Sequence, residues 1–231
     1  MVALENLVFR WPRQPAPCID IPRFDAAGGE RVFLCGPSGS GKSTLLNLIG
    51  GVAVPERGRV ELLGRDIVPL SGRARDAFRA DHIGFVFQQF NLLPWLPALD
   101  NALLPCTFSA RRRQRADSAG GPRAEAERLL ARLDLAPALW RKPAAALSVG
   151  QQQRVAAARA LIGRPEILIA DEPTAALDAE RQRAFIDLLL TESAASGATL
   201  LFVSHDARLT ARFDRVVALA AINRAAAEGT V

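Results

Sequence analysis

The chain has 231 residues, 49% hydrophobic and 23% charged, a balance that marks a folded globular chain and suits one large α/β domain or one domain with an inserted lobe. Its formal charge of +5 is too small to demand a polyanionic partner, and no apolar run approaches bilayer-crossing length. The opening MVALENLVFR carries Glu5 and no long apolar core, so it is not read as a secretion signal, and the scattered Cys18, Cys35 and Cys106 point to a reduced compartment.

Leu4–Phe9 and Cys18–Ile21 read as strands, with Pro12, Pro15 and Pro17 marking a rigid, irregular connection between them. Ala27–Glu30 is a turn into an apolar strand, Val32–Cys35. Gly36 to Thr44 then reads GPSGSGKST, the pattern G-x-x-x-x-G-K-[ST], and Leu45–Ile49 suits the helix that follows. A strand, a Gly-rich turn and a helix N-terminus converge several backbone N–H groups on one point, and such a point attracts phosphate. Gly36, Pro37, Ser38, Gly39, Ser40, Gly41 and Thr44 are therefore the expected cradle for ATP. Lys42 would reach its β and γ phosphates, and the Ser43 hydroxyl would ligate Mg²⁺. Lys42 and Lys142 are the only lysines in an Arg-rich chain, which agrees with a local chemical demand at Lys42.

Val60–Leu62 is a short strand between Gly58 and Gly64, Arg73–Ala80 a short helix and Ile83–Phe87 a core strand. After Gln88 the composition changes. Pro94, Pro97 and Pro105 interrupt the chain, and Ser109–Pro122 reads as a polar, basic, mobile connection. Its Arg111, Arg112, Arg113 and Arg115 form the densest basic patch. A solvated loop is the first reading, an anionic membrane surface the second and nucleic acid the last, since no aromatics interleave. Arg123–Leu133, with Ala126, Leu129, Leu130 and Leu133 on one face, and Ser148–Ile162 are helix candidates. Residues 91–162 thus read as a helical lobe inserted between core segments 1–90 and 163–231 of a single domain.

The core resumes with strand Ile167–Ala170 and helix Asp178–Ser196, whose Phe185, Leu188 and Leu189 are expected inside. Strand Leu200–Val203, a short helix Asp206–Arg212 and a last strand Val216–Leu219 follow, and the Ala-rich tail from Ala220 receives no function. Alternating strands and helices build a largely parallel sheet, and ligands of such sheets sit at the carboxyl ends of the strands. The phosphate loop, Gln88, Asp171, Glu172 and His205 each follow a proposed strand, so this topology predicts one shared edge. Asp171 fits an acid that holds Mg²⁺ through water. Glu172, the next residue, can point elsewhere and orient the attacking water. The His205 ring can bond the γ-phosphate or that water, and the Gln88 amide can reach the metal or the water. His82 is read as structural.

Taken together, these residues resemble an ATP-binding cassette ATPase, the motor subunit of membrane transporters, from Leu4 to Leu219. The resemblance implies an α/β phosphate-loop (P-loop NTPase) fold with a mainly parallel core, antiparallel N-terminal strands and the inserted helical lobe. It identifies Leu147-Ser148-Val149-Gly150-Gln151 as the signature peptide, with Ser148, Gly150 and Gln151 facing the ATP of a second copy in a head-to-tail homodimer. It places Asp178, in Ala176-Leu177-Asp178, on the loop crossing that interface, and makes His205 the switch histidine. Gln88 becomes the glutamine at the core–lobe boundary and Trp11 the ring that stacks on adenine. Packing of Trp11 against its own Pro-rich loop stands as the other reading, while strand alternation puts Phe9 in the core. Two departures stand out: Val149 where the family has glycine, and Ala220–Ala227 where it has an Asp-Gly hairpin.

Ile83 to Pro94, IGFVFQQFNLLP, resembles the branch that serves lipoprotein release and macrolide export. That branch implies a peripheral subunit on the cytoplasmic face of the inner or plasma membrane, without a transmembrane segment of its own. A separate transmembrane permease would dock near Gln88–Pro97, and no nucleic acid is expected. Phe90, Leu92, Leu93, Trp95 and Leu96 either form that docking groove or pack the lobe onto the core. The alternative function is a soluble cassette ATPase acting in cell division, nucleic-acid work or translation. A small-molecule kinase leaves Ser148–Gln151 without a role.

Overall fold

The computed structural model describes residues 1–174 and 179–226. In chain order these form β1 (Val2–Phe9), β2 (Ile19–Ala26), β3 (Arg31–Cys35), α1 (Lys42–Ile49), β4 (Arg57–Leu62), β5 (Arg65–Asp66), α2 (Gly72–His82) and β6 (Ile83–Val86). Then come α3 (Ala98–Phe108), α4 (Ala110–Asp117), α5 (Pro122–Arg132), α6 (Val149–Leu161), β7 (Ile167–Asp171), α7 (Ala179–Ser196), β8 (Thr199–Val203), β9 (Arg215–Ala218) and α8 (Leu219–Ile222). The chain divides into two units, Met1–Arg79 with Thr199–Val231, and Ala80–Ala198.

In the first unit β1 lies between β2 and β4, antiparallel to both, and β5 pairs with β4. Strand β2 runs five residues past the expected Ile21, because the burial alternation resumes at Phe24 and Ala26. Pro22 does not stop it. The strand is at a sheet edge, and the register skips Pro22 opposite Asn6, which takes a φ of 49°. A parallel set in the same unit places β3 between β8 and β9. Val32, Phe33 and Leu34 and the whole of Leu200–Val203 are buried, the continuous apolar run that a two-sided parallel strand requires. Phe33, Phe202 and Phe213 meet there with ring centroids 5.1 to 6.0 Å apart.

In the second unit β6 and β7 pair in parallel from Ile83↔Ile167 to Val86↔Ala170. Helix α6 buries Val155, Ala156, Ala157, Ala158, Ala160 and Leu161. It comes so near β6 that a Cβ at Gly84 would stand 2.2 Å from the Ala160 carbonyl oxygen, so only glycine fits. Helix α5 buries Ala126, Leu129 and Leu130 as its spacing predicts. Of the expected inner residues of α7, Phe185 and Leu189 are buried, while Leu188 is half-buried and Ile186 and Leu190 fill in beside them.

The basic stretch requires a correction. Ser109–Pro122 is not a solvated loop but chiefly helix α4, within which Arg112 is only 2% exposed. The Ser109 hydroxyl caps it by accepting from the Arg112 N–H at 3.0 Å and donates to Asp81. Arg111 and Arg115 donate to Glu166 at 2.7 and 2.5 Å, and His82 Nδ1 lies 3.0 Å from the same carboxylate. Much of the patch is thus consumed inside the unit. Helix formers behind a serine cap outweigh the polarity that suggested a loop. Pro105 likewise does not break the chain; it lies within α3.

Candidate functional site

The loop between β3 and α1 is shaped by two left-handed glycines, Gly39 at φ 79° and Gly41 at φ 98°. Gly41 caps α1, and a Cβ there would sit 3.0 Å from Ile19 Cδ1 and 3.2 Å from the Cys18 carbonyl oxygen. The position needs glycine both for its φ and for the wall behind it. Lys42, 8% exposed, donates from Nζ to the Gly36 and Pro37 carbonyls at 2.9 Å each, which holds its ammonium over the loop. Ser43 is exposed at the start of α1. The buried Ser40 hydroxyl oxygen has no partner among the described residues, and a Cβ at Gly36 would lie 2.8 Å from it. An unclaimed hydroxyl, bare glycines and a helix N-terminus form an anion cradle.

Two further predicted residues join this cradle within the first unit. The Trp11 indole donates from Nε1 to Thr44 Oγ1 at 3.3 Å, meets Phe9 edge-on at 5.0 Å and stays 40% exposed. Its ring therefore lies beside the phosphate loop, and Phe9 is core at 8% exposure. His205 is exposed just beyond β8, where Leu34 pairs with Val203 and the Ser204 N–H donates to the Leu34 carbonyl at 3.3 Å. Gly36 and His205 thus leave adjacent parallel strands at the same end. Asp206 beside it is held down to about 2 by hydrogen bonds from Arg208.

The second unit gathers the other chemistry in the same manner. Val86 pairs with Ala170, so Gln88 and Glu172 each stand two residues beyond a matched strand end. Gln88 is exposed, and Asp171 and Glu172 are half-buried. Glu172 has a φ of 43°, rare for a residue with a side chain, which interrupts the extended backbone immediately after Asp171. Such a backbone costs roughly 1–3 kcal/mol and persists where its surroundings hold it. The next residues are indeed held: Gln153 Nε2 donates to the Pro173 carbonyl, and Gln182 Nε2 to Thr174 Oγ1 at 3.0 Å.

Gln153 belongs to α6, whose N-terminus is the predicted signature peptide. Ser148 caps this helix, and Ser148 and Gln151 form a reciprocal capping box: the Ser148 N–H donates to Gln151 Oε1 at 2.9 Å and Ser148 Oγ accepts from the Gln151 N–H at 3.4 Å. Gln151 therefore serves the helix itself. Gly150 and Val149 occupy the first turn, with Val149 50% exposed. At the far end Arg159 donates to the carbonyls of Phe90 and Asn91, which have φ of 58° and 49°. Burial lowers the Arg159 pKa. One helix thus ties the signature peptide, the turn after Gln88 and the turn after Glu172. Sequence reasoning missed Gln153 and Arg159, although polar residues on an otherwise Ala-rich buried stripe were a usable signal. Asp178 lies outside the described residues.

A strand–glycine loop–helix anion cradle, in a chain that also carries parallel strands ending in an amide and acids, defines a P-loop nucleoside triphosphatase. Residues 20–175 match the family described as ABC transporter. The chain is 44% identical over 191 residues to the ABC transporter ATP-binding protein YbbA of Escherichia coli strain K12, covering 83% of this chain and 81% of that protein. It is also 44% identical to the lipoprotein-releasing system ATP-binding protein LolD of Syntrophotalea carbinolica, covering 83% and 82%. The macrolide export ATP-binding/permease protein MacB of Bradyrhizobium diazoefficiens is 42% identical, over 84% of this chain but only 29% of that longer protein. A dimeric structure of the ATP-binding cassette MJ0796 bound to ADP and Pi superimposes with a TM-score of 0.84 at 36% identity, over 94% of each chain. The chain belongs to the ABC transporter family as its ATPase subunit: it binds ATP and hydrolyses it to ADP and phosphate.

Proposed function

We propose that this ATPase is the peripheral motor of an export or lipoprotein-release system and drives a separate transmembrane permease by closing as a head-to-tail dimer around two ATP molecules. The relatives named for lipoprotein release and macrolide export and the dimeric cassette support that branch. Among the described residues no helix is long and apolar enough to cross a membrane. The division into a core of residues 1–90 and 163–231 and a lobe of 91–162 belongs to the same reading.

In this mechanism the amides of Gly36–Thr44 bind the phosphates, Lys42 neutralises charge on the β and γ groups, and Trp11 stacks on adenine. Ser43, Asp171 and Gln88 each offer an oxygen donor of the kind that would hold Mg²⁺, which would supply Lewis-acid polarisation of the phosphate. Glu172 holds the attacking water, and His205 bonds the γ-phosphate. Ser148 and the Gly150 N–H serve the partner copy's ATP, and Asp178 the interface between the copies. Loss of the γ-phosphate removes charge that joins the two copies, so hydrolysis reopens them.

The observation that supports the reading is the left-handed backbone of Glu172 immediately after Asp171, the pair to which this mechanism assigns the water and the metal. A Glu172→Gln protein should lose turnover by about 100-fold or more, as removal of a general base does, yet bind MgATP and sediment as a dimer. A variant that stays monomeric at saturating MgATP, even beside its permease, would contradict the closing dimer.

A further inference from the structure

Asn223, in the tail that the motifs leave unused, is buried to 1% exposure. Its carboxamide makes three bonds. Oδ1 accepts from the Asp20 N–H at 2.8 Å and from the Ala225 N–H at 3.3 Å, and Nδ2 donates to the Cys18 carbonyl at 3.0 Å. Asp20 N–H and Cys18 C=O are two residues apart where the chain enters the edge strand β2, so this side chain supplies the donor and acceptor that a neighbouring strand would otherwise offer. The Cys18 carbonyl is also the wall behind Gly41. A Cβ at Gly41 would meet it at 3.2 Å and Asn223 Nδ2 itself at 3.8 Å. The segment that Asn223 fixes therefore backs the left-handed residue on which the phosphate loop turns into α1.

We propose that Asn223 is a positioning residue of the nucleotide site, acting through Cys18 and the start of β2 on Gly41. It rests on the reading of Gly36–Thr44 as the phosphate cradle. Releasing the Cys18 carbonyl lets the wall behind Gly41 move, and the loop amides then spend less time converged on one point. Affinity for nucleotide falls, while Glu172, which holds the water, is untouched.

The test compares the wild-type chain with Asn223→Ala and Asn223→Asp, the latter keeping the bond from Asp20 and losing the one to Cys18. Thr199→Val serves as a control, since Thr199 bonds Gly29 and Ala27 at 3.0 Å, is equally buried in the same unit and makes no bond to the phosphate loop. Binding of a fluorescent ATP analogue and the melting temperature are read for each. Asn223→Ala should weaken binding about tenfold, equivalent to ~1.4 kcal/mol, and raise KM with kcat nearly kept. Asn223→Asp should shift Kd in the same direction, and Thr199→Val should lower melting without moving Kd. Wild-type Kd in a folded Asn223→Ala protein, or a Kd change matched by Thr199→Val, would overturn the proposal. If Lys42→Ala also bound the analogue like wild type, the phosphate-cradle reading itself would fail instead.

Discussion

Val149 is where the chain departs from its family, and the departure is cheap. The residue begins α6 with a helical backbone and a half-exposed side chain, so nothing at this position requires the positive φ that only glycine tolerates. The proposed function assigns the contacts of the signature peptide to Ser148 and the Gly150 N–H, and both stand at the capped helix end. Val149→Gly should therefore leave ATP affinity unchanged and move turnover by no more than about threefold, under ~1 kcal/mol of barrier. Steady-state ATPase assays check this, and an inactive wild type revived by glycine would refute it. Residues of this kind were legible because their role is local: the phosphate loop and the capping box are each written within nine consecutive positions. Asn223 was not, since its partners are 203 and 205 residues away and an Ala-rich tail shows no periodicity that points to them.

Among the elements, α4 shows how charge misleads when read without partners. Its arginines read as a solvated loop because four of them crowd a polar stretch that holds a single acid, Asp117. Glu166, which leads into β7, is the missing partner, more than fifty residues on. Burial opposes the Glu166 charge, but hydrogen bonds from His82, Arg115 and Arg111 outweigh it and hold the carboxyl well below its ordinary value of 4.5. A carboxylate depressed on folding stabilises the folded state above its unfolded value, and that stabilisation fades as pH falls below it. Glu166→Gln should thus melt below wild type at pH 7, by roughly 1–3 kcal/mol of stability for a half-buried charged network. The difference should shrink steadily as the pH is lowered from about 4.5. Thermal denaturation of both proteins from pH 7 to pH 3 measures it, and a gap that persists or widens in acid would show that packing rather than charge is at stake.

At the scale of the whole molecule, the alternation of strands and helices made the parallel sets legible, because a strand buried on both faces is apolar throughout. The apolar stretch after Gln88 remained ambiguous between docking and packing, because hydrophobicity alone does not say which side chain turns inward. The structure divides it: Phe90 is buried at 8% exposure, whereas Trp95 stands out at 69%. The loop that presents Trp95 is firmly built. Asn101, fully buried, accepts from the Leu93 N–H at 2.8 Å and donates to the carbonyls of Leu93, Leu96 and Pro97 at 3.0 to 3.2 Å. The Ala144 and Ala145 N–H groups add bonds to the Leu96 and Pro94 carbonyls at 2.9 and 3.0 Å. A rigid loop that presents a large aromatic to solvent loses little entropy when a partner covers it, as an interface anchor should. Trp95→Asp should accordingly leave melting within about 2 °C of wild type and ATP affinity unchanged, since most of the side chain is exposed. In vesicles carrying the permease, the same substitution should abolish co-sedimentation, because a charge would have to be desolvated at the centre of the contact. Wild-type recruitment, or a marked fall in melting temperature, would instead assign Trp95 to the packing of its own unit.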